Sequence, residues 1–282
     1  MIDIKYRMKK MFEWYTNPAI KFAIINTTKN RETSFLMPSW VDEDLKRANT
    51  RMLKCHSVQH LDFLFKVLDV YKREKPYNVY YSIAKYIEGI PNQDFSYLKM
   101  RDNSEWNKTH YHFITDYDYF IDIDAPDFND LDFALESTKE LKALFDVLNV
   151  PYTLIFSGMG FHYKISYKYL PKDLSFNPKD DENIYKMLSE CTDKLYDLIS
   201  EMIDTSIYDS KRLCKIPFTL ANYDDRIVVC SPINSIEQLN AFDVDNYKIE
   251  NYIFLTSEIK VYNENGDFNN LLSYLKNTNK GE

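Results

Sequence analysis

Apolar and polar positions follow a readable rhythm from about residue 111 onward. Residues 111–124 are a β-prone, largely apolar run and predict a strand. Residues 130–148 repeat apolar side chains at helical spacing, with Leu131, Leu135, Leu141, Leu144 and Phe145 on the inner side and Asp130 placed to cap the start. Residues 152–156 and 161–167 are two further apolar runs, joined by the turn Ser157-Gly158-Met159-Gly160. Residues 182–203 predict a long helix, with Met187, Leu188, Cys191, Leu195, Leu198 and Met202 facing inward, and residues 213–217 begin another strand.

Before this stretch the pattern is mixed. Leu61, Phe63, Leu64, Val67, Leu68 and Tyr71 recur at helical spacing, residues 78–87 predict a strand, and Pro76 and Gly89-Ile90-Pro91-Asn92 punctuate the region. After it come a short strand over 227–230, a short helix over 235–241, a helical turn or two over 269–275 and a frayed end over 277–282. The middle elements run β-α-β-β-α-β, the split-βαβ order of ferredoxin-like and RNA-recognition-motif (RRM) folds. The expectation is an α+β protein: an RRM-like core over 111–232, a mixed α/β region over 1–110 and an extension over 233–282, forming one domain. In that order the first and third strands are adjacent, so Asp122 and Asp124 on one should lie near His162 on the other.

Composition narrows the class. The chain has 282 residues, 45% hydrophobic and 28% charged, as a globular protein should. No apolar run reaches the ~20 residues of a membrane span, and the charged start lacks the apolar core of a secretory signal. Cys55, Cys191, Cys214 and Cys230 are scattered without a CxxC, which predicts a reduced, cytoplasmic protein. The net charge of −8 is unevenly spread: residues 1–110 carry 19 Lys+Arg against 13 Asp+Glu, and residues 111–282 carry 16 against 30. A basic part that grips phosphates beside an acidic part that does chemistry fits this split.

The chemistry centres on Asp122-Ile123-Asp124. Residues two apart on a strand share a face, and two carboxylates that close repel unless a cation lies between them. A calcium loop starting at Asp122 fails, because its sixth residue is Asp127 rather than Gly and its twelfth is Phe133 rather than Glu. Asp204 follows the long helix as a third carboxylate, in competition with Asp209. Two of the five glycines, Gly158 and Gly160, fall between Ser157 and His162; this is either a plain hairpin turn or a phosphate-sized one, and His162 with Lys164 favours phosphate. Arg212 and Lys215, three apart beyond Asp204, suit a triphosphate. Cys55, His56, His60, His110 and His112 have no paired spacing, so structural zinc is not expected.

In combination these residues resemble the archaeo-eukaryotic primase superfamily, which includes the small catalytic subunit of replicative primases and the primase-polymerases. The resemblance lies in three motifs in order: Phe120-Ile121-Asp122-Ile123-Asp124, Ser157-Gly158-Met159-Gly160-Phe161-His162, and Ile203-Asp204 continuing to Arg212-Leu213-Cys214-Lys215-Ile216-Pro217. Fainter echoes are Asn30-Arg31-Glu32-Thr33-Ser34-Phe35 and Asn78-Val79-Tyr80-Tyr81-Ser82-Ile83-Ala84. Coverage spans about residues 20–220. The chain departs from the family in a shorter Ser-Gly-to-His turn, in Lys215 where Arg is common, in Phe218-Thr219-Leu220 where small residues are usual, and in lacking the cysteine knuckle. These departures point to a compact primase-polymerase from a mobile element, virus or defence locus.

The resemblance implies a primase fold and a template-directed nucleotidyltransferase that makes or extends primers from nucleoside triphosphates. It implies two Mg2+ or Mn2+ ions on Asp122, Asp124 and Asp204, phosphate contacts from Ser157, His162 and Arg212, close backbone approach at Gly158 and Gly160, and Lys215 toward the sugar or γ-phosphate. Single-stranded DNA template and primer would be partners, together with a large primase subunit, a helicase or another replication or defence protein. A catalytically silent nucleic-acid-binding subunit and a gap-filling repair polymerase are the alternatives.

Overall fold

The computed structural model describes residues 4–31, 33–36, 53–55, 78–86, 114–171, 182–206, 212–223 and 226–278. The chain divides into two compact units, each built from separated segments. The first comprises Met1–Thr115, Leu213–Cys230 and Val244–Ser257; the second comprises Asp116–Arg212, Ser231–Asp243 and Glu258–Glu282. In chain order the elements are α1 (Ile4–Thr16), α2 (Pro18–Thr27), β1 (Thr33–Leu36), β2 (Leu53–Cys55), β3 (Asn78–Ser82), β4 (Ala84–Tyr86), β5 (Ile114–Tyr117), β6 (Tyr119–Asp124), α3 (Leu131–Val147), β7 (Thr153–Phe156), β8 (Gly160–Ile165), α4 (Glu182–Leu198), β9 (Leu213–Lys215), β10 (Leu220–Tyr223), β11 (Arg226–Val229), β12 (Ser231–Pro232), α5 (Ile236–Asn240) and α6 (Asn269–Thr278). Among the described residues no helix is long and apolar enough to cross a membrane.

The second unit is built on a sheet of order β12-β7-β8-β6, antiparallel throughout. Side-chain alternation sends Tyr119, Ile121 and Ile123 of β6 to one face and Phe120, Asp122 and Asp124 to the other. On the first face the Tyr119 hydroxyl meets Thr192 Oγ1 of α4 at 2.9 Å, and Tyr163 of β8 donates to the Thr138 carbonyl of α3 at 2.6 Å. Buried phenols need such partners. The C-terminal segment closes this unit. Tyr262 forms an antiparallel bridge with Tyr152, stacks on its ring at 4.9 Å and donates to the Ile233 carbonyl, while Lys194 of α4 donates to the Leu275 carbonyl.

The expected order holds as far as α4, with three corrections. The strand predicted over 111–124 breaks at Asp118, whose buried carboxylate accepts from Tyr167 N at 2.9 Å and pairs with Lys164 at 3.7 Å. The helix predicted over 182–203 stops at Leu198, which is 45% exposed; Ser200 then receives Met202 N on its hydroxyl and the chain turns back. Asp130 makes no capping bond, and Asp127 instead caps the 3-10 turn before α3 through Asn129 N.

The largest correction concerns the last strand of the β-α-β-β-α-β series. β9 pairs with β3 in the first unit, in a sheet of order β2-β1-β3-β9. Beyond β6 the described residues place the short stretch 202–204, which bridges to β6 at Ile123 and Ile203. The apolar run was legible, but its choice of sheet depends on residues 78–82, far away in sequence.

In the first unit α1 buries Met11, Trp14 and Tyr15. Trp14 Nε1 donates to the Phe218 carbonyl at 2.8 Å, and the Tyr15 hydroxyl meets Thr219 Oγ1 at 2.8 Å. Phe218 has φ 69°, a left-handed backbone that favours glycine. Here the conformation is held by Phe218 N on the Cys230 carbonyl at 2.6 Å and by burial of the ring against Phe254. The helical pattern over 61–71, the turn at 89–92, Asp209, His56, His60, His110 and His112 lie outside the described residues.

Candidate active site

The second unit brings four of the expected residues together. Antiparallel register sets Asp122 of β6 opposite His162 of β8, as the strand order predicts. His162 Nε2 lies 3.2 Å from Asp122 Oδ1, and both side chains are at least nine-tenths buried. Phe120 packs edge-on against the imidazole at 4.9 Å and fixes its plane.

Asp204 is delivered by the turn after α4. Asp124 N donates to the Met202 carbonyl at 3.2 Å and Asp204 N to the Asp122 carbonyl at 2.9 Å, so residues 202–204 run as a short ladder beside β6. Asp204 Oδ1 accepts from Ser206 N at 2.9 Å and Ser206 Oγ at 2.7 Å. This is a local Asx-type turn that orients the carboxylate.

Arg212 completes the cluster. Its Nη2 lies 3.3 Å from Asp204 Oδ2 and 3.8 Å from Asp122 Oδ2. Asp204 thus has its Oδ1 held by Ser206, Asp122 has its Oδ1 3.2 Å from the imidazole but outside hydrogen-bonding geometry, and both turn Oδ2 toward one guanidinium nitrogen.

The hairpin at Ser157–Gly160 borders this cluster along the same strands. Ser157 is buried and its N–H donates to the Gly160 carbonyl at 2.9 Å. Gly158 has φ 108°, a conformation that requires glycine. Gly160 answers a different demand: a Cβ there would sit 1.9 Å from the Ile123 carbonyl oxygen, so it permits the β6–β8 approach. Met159 anchors the turn by accepting from Ala125 N at 3.1 Å.

Asp124 is exposed, opposite Gly160. Lys215 belongs to the first unit, on β9 opposite Tyr80. Lys164, read with the phosphate turn, is paired with buried Asp118.

Among the described residues, no group of three or more His, Cys, Asp or Glu side chains is placed to hold a metal ion. In kind, the donors fit one: carboxylate oxygens are what Mg2+ and Mn2+ take, and Asp122 and Asp204 already converge on a positive charge. Sequence reasoning missed Ser206 and Asp118. The Asp-x-Ser spacing of 204–206 was a usable Asx-turn signal for Ser206; Asp118 carried none.

No family model matches the chain, and no curated protein matches its sequence. Among solved structures, 30 chains are similar, one of them over nearly the whole length of this chain. It is the polymerase domain from Mycobacterium tuberculosis Ligase D in complex with DNA, at 10% identity and a TM-score of 0.47, with 96% of this chain and 88% of that one covered. At that level the likeness assigns neither family nor activity, and the site's own geometry has to carry its reading.

Proposed function

We propose that this protein is a template-directed nucleotidyltransferase of the primase-polymerase kind, which synthesises or extends primers from nucleoside triphosphates. One observation carries the reading. Three motifs separated by more than thirty residues each deliver a side chain to one cluster in the second unit: Asp122 from the first, His162 from the second, Asp204 and Arg212 from the third.

Asp122 and Asp204, joined by Asp124, would hold two Mg2+ or Mn2+ ions. When bound, such ions activate a primer 3′-hydroxyl and offset charge on the triphosphate and its leaving pyrophosphate. The chain's own contribution is orientation. His162, Ser157 and Arg212 would offer donors to phosphate oxygens; Arg212 is the group suited to bidentate contact. Lys215 is assigned to the sugar or γ-phosphate, and the basic residues of 1–110 to the single-stranded DNA template. Sequence selection falls to base pairing with that template.

The test is incorporation of labelled ribo- and deoxynucleotides on single-stranded template with Mn2+, with and without primer. Asp122→Asn and Asp204→Asn should each reduce incorporation to background while the melting temperature stays within a few degrees. Wild-type synthesis by the double variant would sink the assignment. The outward position of Asp124 favours one second reading, a silent accessory subunit, which would bind template yet incorporate nothing in any variant.

A further inference from the structure

Arg212 stands where the metal reading needs a cation. Its Nη2 is 3.3 Å from Asp204 Oδ2 and 3.8 Å from Asp122 Oδ2, while Ser206 donates to the other oxygen of Asp204 and the imidazole lies 3.2 Å from the other oxygen of Asp122 without a hydrogen bond. Asp122 is about nine-tenths buried and Asp204 and Arg212 are each about a third exposed. Like charges at this spacing are costly when partly desolvated, and an opposite charge within a few ångströms offsets that cost. The sequence supplies such a charge eight residues after Asp204.

We infer that Arg212 is the site's resident counter-ion: it offsets part of the charge of Asp122 and Asp204 in the metal-free protein and is displaced when a divalent ion binds. The inference rests on the proposed metal role of the two aspartates and adds a regulation of that site. A divalent ion on the two Oδ2 atoms would lie against the guanidinium and be repelled by its charge, so the arginine weakens binding of the metal alone. Once displaced, it is a free, fully charged fork beside the metal, positioned to meet an anionic triphosphate. Metal and triphosphate then favour one another, because each relieves what the other disturbs. By linkage this preference is reciprocal. A site of this design binds metal weakly until nucleotide arrives.

The test compares wild type, Arg212→Gln and Arg212→Lys, all as the full chain, by Mn2+ binding without nucleotide (free-ion electron paramagnetic resonance or calorimetry) and by melting in EDTA. Arg212→Gln should bind Mn2+ roughly tenfold more tightly, the scale on which an opposite charge at this distance biases a carboxylate, and should melt lower in EDTA. Arg212→Lys keeps the charge and should stay near wild type in both. Unchanged or weaker Mn2+ binding by a folded Arg212→Gln overturns the counter-ion role while leaving the metal site in place. If Arg212→Gln does not fold, Arg212→Lys decides: the shorter ammonium must still hold Mn2+ affinity within about threefold of wild type, and a larger change overturns the inference. Absence of Mn2+ binding in every protein removes the metal reading and this inference together.

Discussion

At the scale of single residues, Gly160 and Phe218 make opposite demands on the backbone. Gly160 lacks a side chain because the Ile123 carbonyl occupies the space a Cβ would need. Gly160→Ala should therefore force β6 and β8 apart and destabilise by at least about 2 kcal/mol, read from chemical denaturation. Because Asp122 and His162 face each other across those strands, the loss should extend to any activity of the site. Phe218 carries a large ring on a backbone that favours glycine. Phe218→Gly relieves about 1 kcal/mol of strain but removes a buried aromatic contributing about 3–5 kcal/mol, so the net effect should be destabilising. A stabilised Phe218→Gly variant would show that the strain outweighs the packing. The Asp122–His162 pairing was legible in sequence because strand periodicity and element order together fix register. The αL backbone at Phe218 was not, because it depends on the Cys230 carbonyl and the Trp14 indole.

At the scale of elements, amphipathic periodicity located α3 and α4 well, and their buried faces hold Leu131, Leu135, Leu141 and Phe145, and Leu188, Cys191 and Leu195. It overran α4 because apolar residues continue to Met202 while the hydrogen-bonding stops at a serine turn. Helices α1 and α2 were missed, although Asn17 before Pro18 is a readable helix start: Asn17 accepts from Ala19 N at 2.9 Å. Cys191 gives a prediction for α4. Burial pushes its thiol up to about 11 from an ordinary value of 9. The unfolded chain therefore loses this proton first as pH rises, and the stability tied to the neutral buried thiol is complete below pH 9 and lost between about 9 and 11. Two pKa units correspond to roughly 2–3 kcal/mol. Denaturation from pH 8 to 11 should show wild type losing about that much more than Cys191→Ala, which has nothing to titrate there. Parallel pH profiles would place the thiol in contact with water.

At the scale of the whole molecule, charge is the property the sequence states most directly. Residues 1–110 carry a net +6 and residues 111–282 a net −14, so a polyanion is attracted to one part of the chain and repelled by the other. Fold topology was less legible at this scale, since segments 213–230 and 244–257 return to the first unit after the chain has built most of the second. Nothing local in those segments announces that return: β9 is a three-residue strand whose partner lies over a hundred residues earlier. The charge division leads to a prediction that needs no side-chain placement. Lys46, Arg47, Arg51 and Lys54 form a basic stretch of the first part, and their side chains lie outside the described residues. If they contact template phosphates, each releases counter-ions and contributes about 0.7 to the slope of log affinity against log salt for a single strand. Replacing all four by Gln should weaken binding of a single-stranded oligonucleotide and flatten that slope by roughly 3, with nucleotide-independent melting unchanged. Weaker binding with an unchanged slope would mean that the four residues support the fold of the binding surface, and that the phosphates are gripped elsewhere in residues 1–110.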